Sequence, residues 1–382
     1  MQKEARGENI IIIAGEASGD MYGASLVEEM LKINPALRFY GIGGGKLKEA
    51  GVELIADAAE IAVVGLTEVF SKLGNFLRII RNLKNKFDQT KPSLVVLIDF
   101  PDFNLNIAAR FAKKRNIKVF YYISPQVWAW RKGRINRIKK VVDRMAVVLP
   151  FEVDVYAAKG FAVDYVGHPL LDVVKTRFSD KKEARRYFGL KEDKTTIGLL
   201  PGSRTAEVKK LLPEMLQAAK IISEEMPGAQ YILPLADTLD EKQISLIISE
   251  IGVEVKIATS AAYDAMACCD LAIVASGTAT LEAGLLGIPM IIAYRVSLLS
   301  ALVGRLVINV QNIGLVNIIA GRTIVPELIQ MEAKGERIAA EALAILTSER
   351  YVEMKKEFLT LRAKLGSPGA AARAAQIACK MI

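Results

Sequence analysis

Four short stretches of this 382-residue chain carry side chains able to do chemistry. In Ala275-Ser-Gly-Thr-Ala-Thr-Leu-Glu282, small hydroxyl residues flank Gly277 between an apolar run and a segment of helical spacing. A strand turning through such residues into a helix leaves backbone N–H groups unpaired at the helix start. With the positive end of the helix dipole, those donors suit a phosphate held by Ser276, Gly277 and Thr278. Glu282 lies one turn in from Thr278, close enough to accept hydrogen bonds from a sugar diol. A simple capped helix explains this stretch alone equally well. Pro201-Gly-Ser-Arg-Thr-Ala-Glu207 repeats the pattern: Gly202 and Ser203 make the turn, and Arg204 offers a planar fork for bidentate phosphate contact. Two such loops could grip a diphosphate from two sides. Asp99 directly follows the apolar run Leu94–Ile98, at the strand end where open α/β sheets place their chemistry, and Pro101 restrains its loop. It is the candidate catalytic base. Asn104 is expected to cap the helix that follows.

The fourth stretch, Gly15-Glu-Ala-Ser-Gly-Asp20, puts Glu16 and Ser18 at another strand end, with Asp20 expected to cap its own helix. Its glycines lack the full dinucleotide-binding spacing. No D-x-D pair and no metal-spaced His, Cys or carboxylate cluster is present. Neither a metal nor a cofactor is therefore expected, and a diphosphate leaving group would rely on a helix N-terminus and Arg204. The single histidine, His168, precedes a proline and reads as a hydrogen-bonded loop residue.

The elements that position these residues alternate strand, Gly-containing turn and helix twice over. Strands are predicted at Asn9–Ala14, Leu37–Ile42, Leu94–Ile98, Lys118–Ile123 and Met145–Leu149, then at Thr196–Leu200, Tyr231–Leu235, Val253–Ile257, Leu271–Ala275 and Pro289–Tyr294. This is an α/β pattern of two Rossmann-like domains. They are expected at 1–180 and 181–367, with 178–195 as the connection. The Ala-rich segment 368–382 is expected to be a helix that packs back on the first domain or swaps between protomers.

Two stretches suit an amphipathic surface. Val63–Phe87 has one continuous apolar helical face bordered by basic residues, with Phe70, Leu73 and Leu77 as candidates to meet acyl chains or a bilayer. Core packing is the ordinary alternative. Trp128 and Trp130 precede Arg131, Lys132, Arg134, Arg137, Lys139 and Lys140, with no acid among these basic residues, which suits an anionic interface. The formal net charge is +9 and the pI is near 9.2, pointing to an anionic partner. The chain is 52% hydrophobic with a mean hydropathy of +0.26, yet no uncharged apolar run has the length of a spanning helix and no secretory signal is visible. Three cysteines without framework spacing suit a reducing, cytoplasmic setting.

Five motifs in order resemble the signatures of the lipid-A-disaccharide synthase family of GT-B glycosyltransferases. They are Ala14-Gly-Glu-Ala-Ser-Gly-Asp20, Ile98-Asp-Phe-Pro-Asp-Phe-Asn104, Ser124-Pro-Gln-Val-Trp-Ala-Trp-Arg131, Leu200-Pro-Gly-Ser-Arg204 and Ala275-Ser-Gly-Thr-Ala-Thr-Leu-Glu282. The resemblance implies two domains facing across a cleft: an acceptor domain and a UDP-sugar domain. It implies an inverting enzyme that joins UDP-2,3-diacylglucosamine to 2,3-diacylglucosamine 1-phosphate, forming a β-1,6 disaccharide and UDP. Such an enzyme would work in the cytoplasm at the inner-membrane surface of a Gram-negative bacterium. Carried over by motif, Asp99 would deprotonate or orient the acceptor hydroxyl and Glu16 and Ser18 would line the acceptor side. Gly202, Ser203 and Arg204 with Ser276, Gly277 and Thr278 would hold the diphosphate, and Glu282 the ribose. Val316-Asn-Ile-Ile-Ala-Gly-Arg322 is similar to the family's late asparagine segment, which would put Asn317 at the nucleotide, although Val316 stands where the family usually has proline.

Rival readings remain at this point. One is another UDP-N-acetylglucosamine-dependent GT-B enzyme, a lipid-II-type transferase or a 2-epimerase. The other is a basic membrane- or nucleic-acid-binding protein without catalysis, although no recognised nucleic-acid module is present. A homodimer is compatible with the sequence.

Overall fold

The computed structural model describes residues 8–58, 60, 69–128, 133–295 and 312–382, and the side chains of residues 69–73 lie outside that description. Two compact units divide the chain: Met1–Leu171 with Leu365–Ile382, and Asp172–Lys364.

In the first unit, seven parallel strands lie in the order β3-β2-β1-β4-β5-β6-β7. They are β1 (Asn9–Ala14), β2 (Arg38–Gly43), β3 (Glu53–Asp57), β4 (Leu94–Ile98), β5 (Lys118–Tyr122), β6 (Arg144–Val147) and β7 (Asp164–Tyr165). The central strands β1 and β4 are buried along nearly their whole length, as a sheet covered by helices on both faces requires. The second unit repeats the plan with β8 (Thr196–Leu200), β9 (Gln230–Pro234), β10 (Val255–Ala258), β11 (Leu271–Ala275), β12 (Met290–Tyr294) and β13 (Glu327–Ile329), in the order β10-β9-β8-β11-β12-β13.

Each sheet therefore reverses its strand order once, and the reversal positions the chemistry. In the first sheet β1 pairs with both β2 and β4, with Ala14 level with Ile98. In the second, β8 pairs with both β9 and β11, with Leu200 level with Val274. At such a switch point the loops leave neighbouring strands toward opposite faces and open a crevice. The Gly15–Asp20 and Asp99–Asn104 loops share the first crevice, and the Gly202–Arg204 and Ser276–Thr278 loops share the second.

The C-terminal helix Ala370–Met381 belongs to the first unit and packs on the helix Ala17–Ile33 through buried Ala370, Ala371, Ala374, Ala375 and Ala378. Residues 178–195, expected as a connection, are instead folded into the second unit. They contain the helix Lys181–Tyr187, and buried Arg185 donates to the Cys268 and Glu192 carbonyls (3.1 and 2.8 Å) and to Asp270 (2.5 Å). A charged stretch looks like a linker when its partners lie far along the chain. The passages between units fall at 171/172 and 364/365.

The helix Val69–Thr90 turns Ile79, Leu83 and Phe87 into the core and leaves Leu77 53% exposed. Phe70 and Leu73, proposed for acyl contact, lie outside the residues whose side chains are described. No described helix is long and apolar enough to cross a membrane.

Candidate functional site

Asp99 sits one residue past β4 with φ 41°, and Phe100 follows with φ 48°. Two successive non-glycine residues in the left-handed region cost of order 1–3 kcal/mol each, so something must hold them there. The Asp99 carbonyl accepts hydrogen bonds from Tyr121 Oη (2.5 Å) and Asn104 Nδ2 (2.7 Å), and Asn104 also reaches the Ile98 carbonyl (3.3 Å). Asn104 therefore braces the turn rather than capping a helix. The left-handed pair lets the helix start at Pro101, a favoured first position, so Asn104 is already inside it. The segment Asn104–Ala108 is a π-helical bulge, a deviation that often marks functional sites.

Burial raises the Asp99 carboxyl to about 7, with the Glu16 charge adding to the rise and the Phe100 N–H and the Arg134 charge opposing it. Glu16 is the exposed N-cap of the helix Ala17–Ile33, and Ser18 is half-buried in its first turn. That helix start lies close on β4: a Cβ at Gly23 would come within 2.9 Å of Ile98, and one at Gly15 within 2.2 Å of the Phe100 ring. Gly15, next to the Asp99–Phe100 turn, and Gly23, one helical turn beyond Asp20, are thus positions where space requires glycine.

Asp20 does not cap its own helix. It is 6% exposed and accepts from the backbone N–H groups of Gly44 (2.6 Å), Lys46 (2.9 Å) and Leu47 (3.3 Å), capping the short helix Gly45–Glu49 after β2. The pairing of β1 with β2 brings the two loops together, which no local rule could foresee. Asp20→Ala is expected to destabilise the protein by roughly 2–3 kcal/mol, because three N–H groups lose their acceptor. A thermal melt checks this, and an unchanged Tm would refute the capping role.

Trp128 also turns inward. Trp128 Nε1 donates to Glu152 (3.3 Å), whose other oxygen accepts from the Val148 and Leu149 N–H groups (3.3 and 3.0 Å). Glu152 is 1% exposed, and burial raises its carboxyl to about 7. Sequence reading missed it because an acid at the start of a helix ordinarily faces water. Of the basic residues that follow, Arg134 pairs with Asp102 (2.5 Å) and Arg137 donates to the Leu105 carbonyl (3.2 Å), so both serve the Asp99 loop rather than an external anion. Trp130, Arg131 and Lys132 lie outside the described residues. His168 is buried and held neutral, pushed down to about 3, with Nδ1 accepting from the Leu170 N–H (3.2 Å), which fits its reading as a loop residue.

In the second unit, Gly202 (φ 106°) turns beneath Arg204, and a Cβ there would meet Glu207 at 3.1 Å and Ala275 at 3.6 Å. The two loops are therefore in contact at the end of β8 and β11. Arg204 is exposed at the N-cap of the helix Thr205–Glu225 and pairs with Glu207 (3.1 Å). Gly277 (φ 155°, ψ −159°) takes a conformation essentially reserved for glycine, and the helix Thr278–Leu285 begins directly after it. Ser276 Oγ donates to the Ile313 carbonyl (3.1 Å). Glu282 accepts from Tyr263 Oη (3.1 Å), and burial raises its carboxyl above the usual range. Tyr263 is a neighbour that sequence reading did not single out.

Asn317 differs from expectation. It is fully buried, its Nδ2 donates to the Val325 carbonyl (2.9 Å) and Glu327 (2.7 Å), and its Oδ1 accepts from the Ile324 and Val325 N–H groups (2.7 and 3.0 Å). Both side-chain donors and the side-chain acceptor are thus engaged within the unit. Glu327 in turn accepts from the Ile313 and Gly314 N–H groups (2.8 and 3.0 Å), so Asn317 frames the loop that Ser276 touches.

A family profile described as lipid-A-disaccharide synthetase matches residues 10–381. A lipid-A-disaccharide synthase of Syntrophus aciditrophicus is 56% identical over 375 residues, covering 98% of this chain and 97% of that one. One of Geobacter metallireducens is 46% identical, covering 99% and 98%. Among solved structures, a UDP-GlcNAc 2-epimerase from Neisseria meningitidis bound to UDP-GlcNAc aligns with a TM-score of 0.65 at 12% identity, covering 97% of this chain and 98% of that one. That likeness speaks for the fold alone: two Rossmann-like domains of the GT-B type.

Proposed function

Because this chain belongs to the lipid-A-disaccharide synthase family, we propose that it joins UDP-2,3-diacylglucosamine to 2,3-diacylglucosamine 1-phosphate, releasing UDP. It is a glycosyltransferase of lipid A biosynthesis. The observation that carries the residue assignment is the Asp99 carboxyl, held at a switch point by a braced left-handed turn and raised to about 7. A base poised near the working pH is suited to proton transfer. Asp99 takes the proton of the acceptor 6-hydroxyl as that oxygen attacks the anomeric carbon; the bond to the diphosphate breaks with inversion, and the electron pair leaves on UDP. Glu16 and Ser18 serve the acceptor sugar.

On the donor side, Arg204 and the N–H groups opened by the Gly202–Ser203 and Ser276–Thr278 turns stabilise the leaving diphosphate. Glu282 accepts from the ribose hydroxyls, and Asn317 acts by positioning the adjoining loop. Glu282→Gln keeps an acceptor for Tyr263 yet loses the charge. UDP binding by calorimetry should weaken roughly 10- to 100-fold, the worth of hydrogen bonds to a charged group. Affinity within twofold of the parent would remove the ribose assignment.

We place the enzyme at the cytoplasmic face of the inner membrane as a peripheral protein, supported by the acyl chains of both substrates and the +9 net charge. Release of UDP when both lipid substrates are supplied tests the whole reading. Release with neither acceptor nor transfer, or epimerisation of UDP-N-acetylglucosamine instead, would overturn it.

A further inference from the structure

An open cavity of about 640 Å³ lies on the first unit, away from the Asp99 crevice. Arg110, Lys113, Lys114 and Lys140 line it, and no acid does. Lys113 is paired with Asp143 (2.5 Å), whereas Arg110, Lys114 and Lys140 are exposed and ion-pair with no described residue. Its floor is apolar: Ile80, Ile107, Phe111 and Val141 pack their inner edges on the hydrophobic core and turn the rest toward the cavity. Ile107, Arg110, Phe111 and Lys114 recur at helical spacing, so one helix face alternates grease and cation.

Topology separates this cavity from the acceptor crevice. Lys113 and Lys114 precede the first residue of β5, and Lys140 and Val141 precede the first of β6, so the cations gather at the edge where strands begin. Asp99 lies at the edge where they end, and β5 has five residues, roughly 16 Å between the two edges. Exposed Leu77 lies one turn from Ile80 on the helix Val69–Thr90, which continues the apolar floor along the surface.

We infer that this cavity is a docking site for the anionic headgroup of a bilayer phospholipid, the phosphate meeting Arg110, Lys114 and Lys140 and the first methylenes lying on Phe111 and Ile107. The apolar floor and its continuation to Leu77 favour a lipid over a free anion, which would use only the cations. The inference rests on the peripheral-membrane reading and gives it a specific contact.

Co-sedimentation with phosphatidylcholine vesicles, with and without phosphatidylglycerol, tests it using the full chain. The parent is expected to bind only the vesicles containing phosphatidylglycerol. Arg110→Gln with Lys114→Gln should lower that partition about 25-fold, at roughly fivefold per cation near an anionic surface. Lys256→Gln with Lys356→Gln, two exposed cations of the second unit removing the same charge, should leave it within a few-fold. Equal losses from both pairs would reduce the effect to net charge and overturn the site. Undiminished binding by the Arg110/Lys114 variant would overturn it while leaving the membrane reading intact. No binding by the parent to either vesicle would overturn both. Release of the parent by inorganic phosphate, beyond what chloride achieves at equal ionic strength, would make the cavity a free-anion site and also refute the proposal.

Discussion

Asp99→Asn should abolish disaccharide formation while making the protein more stable at alkaline pH. The amide cannot accept the proton of the acceptor hydroxyl, and removing a general base typically costs 10²–10⁴-fold. The pH dependence follows from the burial that raises this carboxyl to about 7. In the parent, kcat/KM should rise with pH as Asp99 ionises and level off above about 7, and the residual rate of the variant should lack that rise. Stability runs the other way. A carboxyl whose folded value lies above its unfolded one favours the folded state fully below about 3.8, and that contribution is lost as pH rises through about 7. The variant has no such loss. Its advantage in thermal melts should therefore grow from about pH 4 to pH 7 and stay level above, with a ceiling of roughly 4 kcal/mol. Unchanged turnover would remove Asp99 as the base, and a pH-independent difference in Tm would refute the buried-carboxyl account. An inactive variant that melts higher distinguishes a lost catalytic group from a damaged fold.

The strands around this residue were legible because a parallel sheet covered on both faces demands unbroken runs such as Ile10–Ile13 and Leu94–Ile98. Asp99 itself was legible as the first polar residue after such a run. What the sequence concealed is how the carboxyl is held. Asp and Phe in succession give no local hint of a left-handed pair, because the cost is met by Tyr121 and Asn104 at a distance. Local rules assigned Asp20 and Asn104 to capping and Arg134 and Arg137 to an anionic interface. The structure commits each across elements: Asp20 to the loop after β2, Asn104 back to β4, and the arginines to Asp102 and Leu105. The adjacency of β8 and β11, which brings Gly202 against Ala275, spans a separation that periodicity does not encode. Trp128 looked like an interfacial residue since its partner, Glu152, is a buried acid that reads as a surface one. The diphosphate loops and Glu282 were legible from strand, turn and helix spacing, whereas Asn317 came from motif resemblance alone. Asn317 illustrates the difference, since a motif position identifies a residue at the site without saying whether it touches ligand or frames the loop that does.

Gly15→Ala should cost nearly as much activity as losing a catalytic contact, though it removes no functional group. The added methyl would lie 2.2 Å from Phe100 Cγ and 2.5 Å from both Cδ atoms, too close for any Cβ, and the three atoms belong to one rigid ring that must move as a whole. The ring has little room to retreat, for it stacks on Phe103 at 5.4 Å between centroids and springs from a left-handed backbone. Relief must come from the Asp99–Phe100 turn itself. Overpacking of this kind costs about 1–3 kcal/mol, and displacing a base by an ångström can cost on the order of 10²-fold in rate. UDP affinity should not change, because the loops proposed to hold the nucleotide belong to the other unit. The expected signature is thus a large fall in kcat/KM, a lower Tm and an unaltered calorimetric Kd for UDP. Phe100→Ala in the same chain removes the ring that the methyl strikes. If the clash acts through the turn, the double variant should be more active than Gly15→Ala alone, a coupling that contacting residues show and distant ones do not. Strict additivity of the two losses would mean that Gly15 serves its own loop and that Asp99 is positioned by other means.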